Sequence, residues 1–130
     1  MDTNTIKIKE FTDLKVWQEG HSLILIIYKI TKQFPREELY SLVDQLKRCA
    51  ISITSNIAEG FGRKSYREKV HFYYQAHGSL TELKNQLYIA RDVNFITKEE
   101  FDMILAQVQL VHKLLQGLIT KSKTYFVVKS

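Results

Sequence analysis

Four histidines, one cysteine and a Gly-Phe-Gly run are the groups in this 130-residue chain whose types and spacing could do chemistry. Glu68-x-x-His71 puts a carboxylate and an imidazole on one helix face, the spacing that di-iron bundles use. Such a site needs the motif twice, with two further inward glutamates, and the residue three before His112 is Gln109. His77 reads as a hydrogen-bonded core position, and His21, one turn from Trp17, as a packing residue. Cys49 lies mid-helix among apolar neighbours, where a thiolate is disfavoured, and alone it makes neither an internal disulfide nor a thiolate metal site. There is no G-x-S-x-G, and Gly60-Phe-Gly62 follows a helical pattern rather than a strand, so the dinucleotide-loop reading fails on context. The sequence predicts no catalytic residue, no metal, no cofactor and no enzyme.

Charge is the chemistry that remains. Net charge is +5, and residues 44–71 hold six cations against three anions. Arg63, Lys64, Arg67 and Lys69 crowd one corner beside Glu59 and Glu68, where one helix ends and another begins. Gly60 and Gly62 are expected to close the first helix in left-handed conformation, and Ser65-x-x-Glu68 is a capping box that opens the next. A sharply specified corner with excess cation is where an anionic partner would bind. The nearby Phe72-Tyr73-Tyr74 run suits stacking on bases. Successive helical residues point about 100° apart, however, so one or two of these rings must be core and one faces outward.

The elements that position this corner follow from hydrophobic periodicity. A first helix is expected over about Asp13 to Gln33, with Leu14, Trp17, Ile24, Ile27, Tyr28, Thr31 and Phe34 near three-and-four spacing. Leu23-Ile-Leu-Ile-Ile-Tyr28 is apolar nearly all round, so Leu23, Leu25 and Ile26 are expected to meet another subunit. Pro35 opens a second helix running to about Glu59, with Leu39, Leu42, Val43, Leu46, Cys49, Ala50, Ile53 and Ile57 close to a seven-residue repeat. A third spans about Tyr66 to Val93, with Asn94 as a left-handed stop. Thr97-x-x-Glu100 caps a fourth that reaches about Lys121. Four helices joined by short links predict an all-α, antiparallel up-down-up-down four-helix bundle. Its expected boundaries are an N-terminal segment 1–12, the bundle 13–121 and a tail 122–130 whose Thr124-Tyr-Phe-Val-Val128 is β-prone and apolar.

Composition agrees: 45% hydrophobic and 25% charged residues, with one proline and five glycines, are globular values with little room for loops. The longest apolar run is six residues, far short of a membrane span, and Met-Asp-Thr-Asn-Thr lacks the regions of a signal peptide. A cytoplasmic protein that does not engage membranes is expected.

Set out in order, several runs resemble one family. They are Asp13-Leu-Lys-Val-Trp-Gln18, Ile27-Tyr-Lys-Ile-Thr-Lys-Gln-Phe-Pro35, Gln45-Leu-Lys-Arg-Cys-Ala-Ile-Ser-Ile53, Asn56-Ile-Ala-Glu-Gly60, Gly62-Arg-Lys-Ser65, Gly78-Ser-Leu-Thr-Glu-Leu83 and Gln86-Leu87. Over about residues 11–121 the chain resembles the bacterial four-helix-bundle proteins encoded within intervening sequences of ribosomal RNA genes, which are similar in turn to the accessory variability protein of diversity-generating retroelements. Cys49 stands where the family usually has alanine and Asn94 where it usually has glycine. The resemblance implies a bundle that assembles into a ring-like homopentamer with a basic surface, and, from the retroelement relatives, binding of nucleic acid and a reverse transcriptase. It implies no enzyme. Carried over by position, Lys47, Arg48, Arg63, Lys64 and Arg67 are the expected contacts to RNA or DNA. The alternative is a protein-interaction scaffold that docks a reverse transcriptase or another partner without binding nucleic acid itself.

Overall fold

In the computed structural model the backbone is described for residues 7–129 and the side chains for residues 7–125. Residues 1–6 of the expected N-terminal segment, and Ser130, lie outside the described residues. Four helices make up the fold: α1 (Lys15–Ile30), α2 (Leu42–Phe61), α3 (Tyr66–Asp92) and α4 (Lys98–Lys129). Each packs on its neighbours in the chain, and α1 closes against α4. The described residues contain no strand, and the arrangement is an all-α four-helix bundle.

Its core is built by alternating steps of three and four. Val43, Leu46, Ala50, Ile53 and Ile57 of α2 are buried, facing Tyr73, Ala76, Leu80, Leu83 and Leu87 of α3 and Phe101, Ile104, Val108, Val111, Leu115 and Ile119 of α4. Such a seam keeps one stripe of each helix turned inward over its whole length. α1 adds Val16, Leu23, Ile27 and Ile30.

The helix ends follow local chemistry. Before α1, a 3-10 turn at Phe11–Asp13 is fixed by the Asp13 carboxylate, which accepts the backbone N–H groups of Lys9 (2.9 Å) and Glu10 (3.0 Å). These two donors favour the ionised form and hold the carboxyl below its usual range. After α1, a 3-10 turn at Thr31–Gln33 leads to Pro35. Pro35 opens only a short 3-10 turn, Arg36–Glu38, and α2 begins seven residues later than the proline suggested, because Ser41 leaves the helical region (φ −122°, ψ −99°). α3 ends as expected at Asn94, with φ at +66°. The Phe95 N–H reaches back to the Ala90 carbonyl (2.9 Å) and the Asn94 N–H to that of Arg91 (3.0 Å), which satisfies two carbonyls the helix end leaves open. Thr97 and Glu100 form the reciprocal capping box: the Thr97 hydroxyl accepts the Glu100 N–H at 3.1 Å, and the Glu100 carboxylate accepts the Thr97 N–H at 2.8 Å.

The fourth helix runs to Lys129 instead of stopping near Lys121. No glycine or proline interrupts residues 118–129. Ser122 is buried and the Tyr125 ring stacks on Tyr66 at 4.9 Å, so packing overrides the β preference of the segment.

Candidate nucleic-acid interface

The corner between α2 and α3 is held by contacts that place its cations. Gly60 and Gly62 were expected in left-handed conformation, yet among the described residues no glycine has positive φ. Gly62 caps α2 in ordinary helical geometry. Gly60 is needed for close approach: a Cβ there would lie 2.7 Å from Cε1 of Tyr73 and 3.0 Å from Cβ of Phe72. The absent side chain lets the first turns of α3 lie directly on the end of α2. Ser65 then starts α3, its hydroxyl accepting the Glu68 N–H at 3.1 Å.

On this frame Arg63 reaches back to the Glu59 carboxylate at 3.2 Å and lies over the Phe72 ring, 4.6 Å from its centroid. Lys64 and Arg67 are exposed. Lys69, in the same sequence cluster, has a structural task. Its ammonium donates to the Phe61 carbonyl at 2.6 Å, closing the C-terminus of α2, and burial pushes its pKa down. The aromatic run divides as helical geometry requires: Tyr73 is core, Phe72 is half-buried under Arg63, and Tyr74 faces outward, its hydroxyl 3.1 Å from the Lys123 ammonium. Lys123 is a cation that spacing within the corner did not reveal. The sequence marks it as part of an acid-free tail with Lys121 and Lys129, but spacing does not show that this tail lies beside the corner.

Lys47 and Arg48 do not join this group. Fifteen residues separate Arg48 from Arg63, about 22 Å along a helix at 1.5 Å per residue. Arg48 pairs with Asp44 at 2.8 Å, and Lys47 lies over the Tyr28 ring at 4.5 Å. That end of the bundle mixes both signs: Glu37, Glu38 and Asp44 lie near Arg36, Lys47 and Arg48 in sequence, and Lys32 lines one groove with Arg36 and Lys47.

Of the three residues expected at a subunit contact, Leu23 is corrected: it is fully buried at 0% exposure and belongs to the core. The α1 seam takes the step 16–23–27–30, so the apolar run is cut by the helix into an inward Leu23, a half-buried Ile26 and an outward Leu25 at 57% exposure.

The groups first considered for catalysis do not gather into one site; only His77 and His112 among the described histidines approach each other. Among the described residues no three His, Cys, Asp or Glu side chains are grouped to hold a metal ion. His71 pairs with Gln75 and His21 stacks on Trp17 at 4.8 Å. His77 is not a core residue as expected. It is half-exposed at the α3–α4 seam, its ring 5.0 Å from that of His112. Cys49 is buried, with the Gln86 amide donating to its sulfur at 3.3 Å, and burial together with the nearby Glu82 carboxylate pushes the thiol up, away from the reactive thiolate.

The fold defines a class, small all-α four-helix bundles, in this chain with several cations gathered at the turn between α2 and α3. The chain belongs to the 23S rRNA-intervening sequence protein family, which it matches over residues 12–117. It is similar to a protein of unknown function from the S23 ribosomal protein family of Bacteroides thetaiotaomicron, whose crystal structure superposes with a TM-score of 0.72 at 21% identity, covering 80% of this chain and 97% of that one. At that identity the likeness concerns the fold. None of the curated proteins matches the chain. Among the described residues no helix is long and apolar enough to cross a membrane.

Proposed function

We propose that the protein is a non-enzymatic, homo-oligomeric scaffold that binds RNA or DNA through the cations of the α2–α3 corner. The observation that carries this reading is the setting of Arg63, Lys64 and Arg67 on a capped turn, beside the acid-free end of α4 with Lys121 and Lys123. Phosphate contact by such side chains gives affinity with little sequence preference. Lys47 and Arg48 would be reached only by a strand that follows α2 along its length.

We read the helices as antiparallel. From Cys49 to Ser52 along α2, the α3 partner moves back from Gln86 to Ser79, at 3.3 Å and 2.8 Å. Assembly is supported by apolar side chains left outside the core, Leu25 on α1 and Met103 and Leu110 on α4, and the resemblance supplies the number five. A cytoplasmic location belongs to the same reading.

The test replaces Arg63, Lys64 and Arg67 together by alanine. Removing one phosphate-binding cation should flatten the slope of log affinity against log salt by about 0.7 for a single strand, so the triple variant should fall by up to about 2 in slope while remaining oligomeric. If the wild-type protein binds neither RNA nor DNA at about 50 mM salt, the nucleic-acid reading is wrong. The same basic corner would then dock an acidic protein partner, for which the resemblance suggests a reverse transcriptase.

A further inference from the structure

At the α2–α3 end of the bundle, around the corner from Arg63, lies a cavity of about 270 Å³ between α2, α3, α4 and the segment before α1. Leu14, Phe61 and Leu118 give it an apolar floor, and Tyr66 stacked on Tyr125 forms one wall. Two buried hydroxyl residues also line it, Tyr73 at 2% and Ser122 at 4% exposure. Among the described residues neither hydroxyl has a protein hydrogen-bond partner, and neither is among the polar atoms shut off from solvent, so both are free to bond a molecule that enters. Two lysines, Lys69 and Lys121, complete the lining, and no carboxylate does.

Lys69 is the most informative of these. One of its three ammonium protons is used by the Phe61 carbonyl, and no carboxylate among the described residues pairs with it. Burial alone lowers its pKa, with no opposing charge to offset the loss of water. A half-buried cation without a counter-ion is relieved by an anion brought from outside.

We propose that this cavity receives one unpaired nucleotide of a bound single strand: the base lies against the Tyr66–Tyr125 wall with its polar edge on the Tyr73 and Ser122 hydroxyls, and its phosphate meets Lys69 and Lys121. The chemistry selects this occupant over a purely apolar one, which would leave the hydroxyls without a protein or ligand partner and the ammonium without a counter-ion, and over a bare anion, which would leave the tyrosine wall and apolar floor uncovered. A base held by its face and edge must be free of a Watson–Crick partner, so single strands should bind better than duplex of the same composition. The inference rests on the proposed nucleic-acid reading and refines it: the Arg63 corner, Lys69 and Lys121 share the salt dependence, and the cavity adds discrimination of strandedness.

The experiment titrates the full chain into a short single strand in which every purine is 2-aminopurine, whose fluorescence falls on stacking, and follows affinity and salt slope in parallel. Wild-type protein should quench the signal. Tyr125→Leu should lower affinity about ten-fold with little quenching and an unchanged salt slope, the loss expected for one stacked base. Tyr73→Phe removes a hydroxyl that supports nothing in the fold, so its melting temperature should not fall while affinity does; a purely structural role for Tyr73 would leave affinity untouched. The inference alone is overturned if the strand binds with the expected salt slope but both variants bind as wild type without loss of quenching, or if duplex binds as tightly as single strand. The free 2-aminopurine nucleotide binding as tightly as the strand would overturn the strand as occupant. Absence of any binding by wild-type protein would remove the nucleic-acid reading itself, and this refinement with it.

Discussion

The same substitution, glycine to alanine, should have opposite effects at two helical positions of this protein. At Gly60 the added methyl would sit 2.7 Å from Cε1 and 3.0 Å from Cδ1 of Tyr73, and 3.0 Å from Cβ of Phe72. Tyr73 is 2% exposed and locked in the core, so the clash can be relieved only by moving the start of α3 away from the end of α2. Overpacking of this kind costs about 1–3 kcal/mol, and the better helix propensity of alanine returns about 1 kcal/mol, which leaves a net loss of up to about 2 kcal/mol. At Gly78, in the exposed middle of α3, nothing lies within 4 Å of the added methyl. Only the propensity gain applies there, so Gly78→Ala should stabilise by about 0.5–1 kcal/mol. Urea unfolding at a fixed protein concentration, with m-values compared, measures both. The Gly60 displacement should also reach the proposed site, because Phe72 carries the Arg63 guanidinium. If Gly60→Ala stabilises the protein as Gly78→Ala does, the close-approach explanation of the corner is refuted.

Other expectations follow from single interactions. Asn94 holds φ at +66°, so Asn94→Ala should destabilise by about 1 kcal/mol and Asn94→Gly should match or exceed wild type in thermal unfolding. The Glu100 carboxyl is held below its usual range first by the Thr97 backbone N–H and then by the Gln33 amide. Its contribution is therefore present above the unfolded carboxylate pKa and lost as pH falls through the lower folded value. Glu100→Gln should accordingly lower stability near neutral pH and flatten the acid limb of the stability profile. Leu25→Glu places a charge on an outward apolar position and should shift light scattering toward the 15.3 kDa monomer without loss of helicity. An unchanged assembly size would remove Leu25 from the subunit contact.

Much of the fold was legible from local rules. Three-and-four spacing identified four helices, Ser65 and Thr97 announced two of their starts, and Asn94 announced a stop, because capping depends on side chains within a few residues of one another. The cationic corner was legible for the same reason, since its members are neighbours in the chain. What lay beyond local rules required knowing which faces meet. The apolar run 23–28 reads as one patch until packing turns Leu23 inward and Leu25 outward. Lys69 reads as one more surface cation until the Phe61 carbonyl lies 2.6 Å away, and Gly60 reads as a turn residue until Tyr73 rests on it. Spacing alone sets Lys47 and Arg48 about 22 Å along the helix from Arg63, but it could not show that Tyr66, Tyr73, Ser122 and Tyr125 surround one cavity. The sequence by itself determined the helices and the sign of the charge at their corner, because those depend on short-range backbone chemistry. Tertiary structure alone decided which cations remain outside, which faces of the helices meet, and which side chains line the cavity at the α2–α3 end, because those depend on packing between residues distant in the chain.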